Sequence, residues 1–116
     1  MRQSGALEAI DRILNRGGDA DDVLRQVVTA LHEKAGYPWA GIFFAEASDL
    51  VLGPEAGEPD EAQRTRIPVV WQTNRVAELA VDRAPPEDRP FLERVAVLVS
   101  GHCLVGWDTG GQPWSP

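Results

Sequence analysis

Arg64–Asp82 reads RTRIPVVWQTNRVAELAVD, and this stretch decides the fold. Ile67, Val69 and Trp71 alternate with other residues in its first half, and Ala77, Leu79 and Val81 do so in its second. A period of two places each set on one face of a strand, and the polar Gln72–Arg75 between them reads as the turn of a hairpin. Pro68 cannot donate to a sheet ladder, which assigns its strand to an edge. The hairpin therefore presents one apolar face that needs cover.

The cover lies on both sides of it. Upstream, Leu7, Ile10, Ile13 and Leu14 fall at helical spacing in LEAIDRILNR, and Gly17-Gly18 stops that helix. Asp19 is placed as the N-cap of a second helix with Asp21 and Asp22 in its first turn, and Leu24, Val27, Val28 and Leu31 form its apolar stripe up to about Ala35. Downstream, Ala84-Pro85-Pro86 breaks the chain, and Glu87–Ser100 resumes a helical pattern with Phe91, Leu92, Val95, Ala96 and Val99 on one face. Glu87 and Asp88 stand in its expected first turn.

Between helix two and the hairpin, YPWAGIFFA over Tyr37–Ala45 is apolar on alternate and intervening positions alike, as a central strand buried on both faces requires. Gly41 within it predicts a bulge or a close neighbour. Glu46–Ser48 reads as a turn and Asp49–Leu52 as a short antiparallel partner strand. Gly53–Gln63, GPEAGEPDEAQ, has no apolar period and is expected to be a solvated loop. The class is α+β: an antiparallel sheet of about four to six strands, two N-terminal helices and one C-terminal helix. Residues 1–107 read as one domain and 108–116 as a loose tail, with Trp107 and Trp114 as candidates for contact with a partner chain.

Composition narrows the function classes. Eleven basic against eighteen acidic residues give a formal charge of −7, which opposes binding to nucleic acid or anionic membranes. No apolar run is long enough to span a bilayer, and MRQSGALEAIDR lacks a signal core, so the expected location is the cytoplasm. Arg64, Arg66 and Arg75 read as scattered surface cations. The single Cys103 rules out an internal disulfide and reads as a packed apolar group despite its neighbour His102. His32 is expected toward solvent, and no third donor joins the two histidines as a metal site. The acids at the helix starts are explained by capping. No catalytic constellation, metal site or cofactor is expected.

The order of these pieces, VLRQVVTALHEKAGYPWAGIFFAE, LVL, RIPVVWQTNRVAELAVD and FLERVAVLVS, resembles the GAF domain family of sensor and regulatory modules over most of residues 7–101. The resemblance implies that strands Trp39–Ala45 and Val76–Asp82 are adjacent at the centre of the sheet, with the first and last helices packed on one face. It implies a ligand pocket over the other face, roofed by the segment between the two hairpins, here only about Gly53–Gln63. Free methionine sulfoxide reductases share this fold but work through several cysteines, and Cys103 has no resolving partner.

Two uses follow as expectations. The first is a non-catalytic regulatory domain acting through homodimerisation or a partner signalling protein, with Leu7, Ile10, Leu14, Phe91, Val95 and Val99 at the interface. The second is a small-molecule sensor with Trp39, Phe43, Arg66, Trp71 and Glu78 around an open cup. For Trp39 and Trp71, filling the core is the favoured reading over lining a pocket, because an aromatic ring buries a large area in both settings.

Overall fold

The computed structural model describes residues 2–46 and 49–104. Trp107, Trp114, the tail 108–116 and the turn residues 47–48 lie outside the described residues. The order is α1 (Arg2–Arg16), α2 (Ala20–Glu33), β1 (Trp39–Glu46), β2 (Asp49–Gly57), β3 (Arg64–Trp71), β4 (Asn74–Asp82) and α3 (Arg89–Val99), with short 3-10 turns at Glu61–Gln63, Pro86–Asp88 and Ser100–Leu104. All strand pairs are antiparallel, in the order β2-β1-β4-β3, so the two apolar strands are central and the Pro68 strand is an edge.

One face of the sheet carries Ala40, Ile42, Ile67, Val69, Leu79 and Val81, and these join the apolar stripes of α1, α2 and α3 in a single cluster. Ile10, Leu24, Val27, Leu31, Leu92, Val95 and Val99 are all at 0% exposure. Burial of each such side chain is worth about 1.5–3 kcal/mol. Helices α2 and α3 lie on the sheet, over β1–β2 and β3–β4 respectively, while α1 packs mainly on the other two helices. The helices thus share one side, but α1 seals the seam between its neighbours instead of covering strands.

That placement changes the reading of the interface residues. Ile10, Val95 and Val99 are fully buried in this core and Phe91 is 9% exposed, while Leu7 and Leu14 are half-buried against it. The apolar stripes of the terminal helices meet each other inside the chain, so association through α3 would use its other face, where Val97 is 72% exposed.

The hairpin turn is shorter than expected. Only Gln72 and Thr73 form it, both at positive φ (51° and 72°), the geometry of a two-residue type I′ turn. Asn74 and Arg75 belong to the ladder, opposite Trp71 and Val70. A β-branched residue at positive φ is strained, and the pairing on either side holds it there. Helix starts also differ from expectation. Asp19 occupies the N-cap of α2 without a side-chain capping bond, and Asp21 and Asp22 pair with Arg25 at 2.7 and 3.2 Å. Glu87 and Asp88 precede α3 in a 3-10 turn, where Asp88 accepts a 2.7 Å hydrogen bond from the Tyr37 hydroxyl.

Candidate functional site

Among the described residues no helix lies on the second face of the sheet. Alternation along β1 sends Trp39, Gly41 and Phe43 to this face, with Glu78, Ala80 and Asp82 beside them on β4 and Arg64, Arg66 and Pro68 on β3. Trp39 lies flat across Gly41: a Cβ built at position 41 would stand 2.5 Å from two ring carbons of Trp39. The predicted bulge is there too, between Gly41 and Phe43. Only glycine leaves room for the indole, which is 1% exposed.

Polar partners hold the ring in place. The Trp39 Nε1–H donates to Glu55 Oε1 at 2.8 Å, and the Arg64 guanidinium stacks 4.0 Å from the indole centroid. Arg64 Nε in turn donates to Asp82 Oδ1 at 2.8 Å, and its Nη2 reaches Oδ2 at 3.3 Å. The Arg64 side chain is 4% exposed and that of Asp82 is 0% exposed, so this is a buried ion pair laid over an aromatic ring. Asp82 raises the guanidinium pKa above its already high value through that hydrogen bond. A cation over Trp contributes about 0.5–2 kcal/mol, more where water is excluded.

The segment after β2 closes over this group. The backbone N–H of Asp60 donates to Asp82 Oδ2, Arg83 Nη2 binds Asp60 Oδ2 at 2.8 Å, and the Arg83 N–H bonds the Gln63 carbonyl at 2.8 Å. The expected solvated loop over Gly53–Gln63 is therefore replaced by strand as far as Gly57 and then by a pinned turn. What holds it is hydrogen bonding to Asp82 and Arg83, which leaves no apolar period in the sequence.

Further along the same face the packing is looser. Arg66 Nη1 pairs with Glu78 Oε1 at 2.8 Å and its guanidinium lies 5.3 Å from the Phe43 ring, itself 6.3 Å from Trp39. Arg75 reaches Glu78 Oε2 at 3.8 Å. The Arg66 side chain is 47% exposed, and Leu52, opposite Phe43, is 42% exposed. Arg64, Arg66 and Arg75 are thus all paired with acids and are not scattered surface charges.

Four of the five expected ligand-face residues, Trp39, Phe43, Arg66 and Glu78, meet here. Trp71 does not. It turns to the helix side, half-buried and close to Gly101. Sequence reading did not place Arg64, Asp82 and Glu55 at this site, although Asp82, closing the apolar run AELAVD one position after Val81, was a signal for a charge at the edge of the core that needs a partner.

The remaining chemistry-bearing groups stand elsewhere. Cys103 is fully buried in the core, and burial pushes its thiol from 9.0 up to about 12. His32 is half-buried, with Nδ1 2.7 Å from the Tyr37 carbonyl oxygen, and does not face solvent freely. Among the described residues no group of three or more His, Cys, Asp and Glu side chains is arranged to hold a metal, and no helix is long and apolar enough to cross a membrane.

No protein-family model matches the chain, and no curated protein matches it. Solved structures do. The GAF domain of a phosphoenolpyruvate-protein phosphotransferase from Coxiella burnetii superposes with a TM-score of 0.72 at 12% identity, covering 95% of this chain and 99% of that one. The GAF domain of A. aeolicus nlh2 in an inactive state gives 0.71 at 10% identity, over 90% and 97%. The fold is that of a GAF domain. A free methionine-R-sulfoxide reductase from Neisseria meningitidis, in complex with its substrate, is equally similar: TM-score 0.71, 13% identity, over 89% and 90%. Identities this low carry the GAF fold and no activity. In this GAF-like chain the face opposite the helices is occupied by Trp39, Arg64 and Asp82.

Proposed function

We propose that this chain is a non-catalytic regulatory domain that works by associating with another protein chain. The observation that carries this reading is the occupation of the open sheet face. Aromatic rings beside carboxylates are the chemistry that holds a cation. Here the cations are the chain's own Arg64 and Arg66, held over the Trp39 and Phe43 rings by the fold itself. The thiol chemistry of the reductases finds no counterpart in Cys103, which is buried and held protonated far above neutral pH.

Native mass spectrometry of the purified protein tests the reading. It is expected to show the unliganded mass, with association that depends on protein concentration or on an added partner. A retained small molecule would overturn it and favour a sensor, with Phe43, Glu78 and Leu52 as contacts. Methionine sulfoxide reduction that is lost in Cys103→Ser would overturn it in favour of an enzyme.

A further inference from the structure

A groove of about 470 Å³ runs between α1 and α2, in the helical layer and away from the open sheet face. Its floor is small and apolar, built from Ala9 and Ile13 of α1 and Ala30 of α2. Its walls are basic. Arg12 and Arg16 stand one turn apart on the α1 side, and Arg25 and Lys34 stand on the α2 side. Among the described residues that line it, Glu33 is the one acid. In a chain of net charge −7 with eleven basic residues, four gathered around one groove is a local reversal of sign.

These cations are unequally engaged. Arg25 is paired with Asp21 and Asp22, and Arg16 donates to Gln26 at 2.9 Å. Arg12 and Lys34, both exposed, form no ion pair or hydrogen bond through their side chains among the described residues.

We propose that this groove docks an acidic amphipathic helix of a partner protein. The shape follows from the helix pair. Two packed helices present a trough along their seam, and a third helix fits it with its ridges, most closely where the floor residues are alanines. The chemistry follows from the walls. Ala9, Ile13 and Ala30 keep only 6–9% of their surface exposed, so an incoming helix would rest a narrow apolar stripe on them, and carboxylates on its flanks, meeting Arg12 and Arg16 on one side and Lys34 on the other, would carry most of the recognition. The occupant is not a second copy using the same groove. A two-fold interface sets each residue patch against its own image, which would bring the basic walls together.

The proposal names the surface and partner chemistry for the association argued above and rests on that reading. The two fail separately: a small molecule retained in native mass spectra overturns the reading, and a peptide titration overturns the groove. The probe is a labelled helical peptide of about five turns made of Leu, Ala and Glu, with Leu on one stripe and Glu on both flanks. A second peptide carries Lys at every Glu position. Fluorescence anisotropy is expected to show binding of the acidic peptide that weakens with added salt, and none of the basic one.

Arg12→Glu with Lys34→Glu, both exposed positions, is expected to weaken that binding at least tenfold with circular dichroism and melting unchanged. Backbone amide shifts on titration should map to residues 9–16 and 25–34. Equal binding of both peptides, undiminished binding by the double variant, shifts confined to the open sheet face, or no binding of either peptide would each overturn the proposal.

Discussion

On the helix side of the sheet, Ile42, Ile67, Val69 and Leu79 disappear into an apolar cluster with α2 and α3, whereas on the other side Trp39 disappears beneath a guanidinium, a carboxylate and a pinned turn. Both faces of β4 end up buried from Val76 to Asp82, by opposite means. The apolar side is held by area, which is non-directional and tolerates exchange of similar volumes. The polar side is held by matched charges, where each group is harmless only while its partner is present. The teaching is that a bare sheet face in this fold does not imply an open pocket.

The largest expected effect comes from breaking one half of the polar side. Arg64→Ala leaves the Asp82 carboxylate at 0% exposure without its counter-charge and is expected to cost about 3–5 kcal/mol in denaturant unfolding. Replacing both, Arg64→Met with Asp82→Leu, removes the charges together and is expected to cost much less than the single change. On the apolar side Leu79→Ala costs about 2–5 kcal/mol for its lost area and cavity, while Leu79→Met stays below about 1.5 kcal/mol. If the double replacement on the polar side is as damaging as Arg64→Ala alone, the two faces are not held by the different physics described here.

How much of this was legible beforehand divides along the same line. The helix stripes and the alternating strands were readable, because area-driven burial leaves a period in the sequence: Phe91, Leu92, Val95, Ala96 and Val99, read as one face of α3, are all buried. The network was not readable, because it joins residues without periodicity, Trp39 with Glu55 and Arg64 with Asp82. One detail hid it in particular. A four-residue turn at Gln72–Arg75 pairs Trp71 with Val76 and sets Arg64 opposite Arg83, a repulsive pair. The actual two-residue turn, with a register shift between Val69 and Val70, sets Arg64 opposite Asp82. Thr73 at positive φ gave no warning, since Asn-Gly and not Gln-Thr is the usual signature of such turns.

Alkaline pH acts on the apolar side first. Cys103 has its thiol pushed from 9.0 up to about 12 by burial, and the Tyr37 hydroxyl is raised as well, by burial and by its bond to Asp88. In both cases the folded state favours the protonated form, so the stability they contribute is complete below about pH 9 and falls as pH rises toward 12. The unfolding free energy is expected to decline across that window, and Cys103→Ala should flatten the decline, leaving the part due to Tyr37. The Arg64 guanidinium, raised further by its hydrogen bond to Asp82, does not lose its proton in that window, so a variant such as Arg64→Met with Asp82→Leu should keep the same alkaline slope. A slope abolished by that double change would place the titrating groups on the wrong face.

The smallest effect sharpens the boundary between the closed and the looser part of the polar side. Arg66–Glu78 has nearly the same separation as Arg64–Asp82, 2.8 Å, yet the Arg66 side chain is 47% exposed against 4% for Arg64. Water reaches the guanidinium, so the Coulomb gain is screened and holding the long side chain in place offsets much of it. A double-mutant cycle on Arg66→Gln and Glu78→Gln is expected to give a coupling of about 0.2–1 kcal/mol that shrinks with salt, against a much larger, salt-insensitive coupling for Arg64 and Asp82. Equal couplings would mean that Glu78, at 8% exposure itself, is desolvated as thoroughly as Asp82. The polar plug would then extend over Phe43 to the end of the sheet, and the sensor reading would lose the part of the face it depends on.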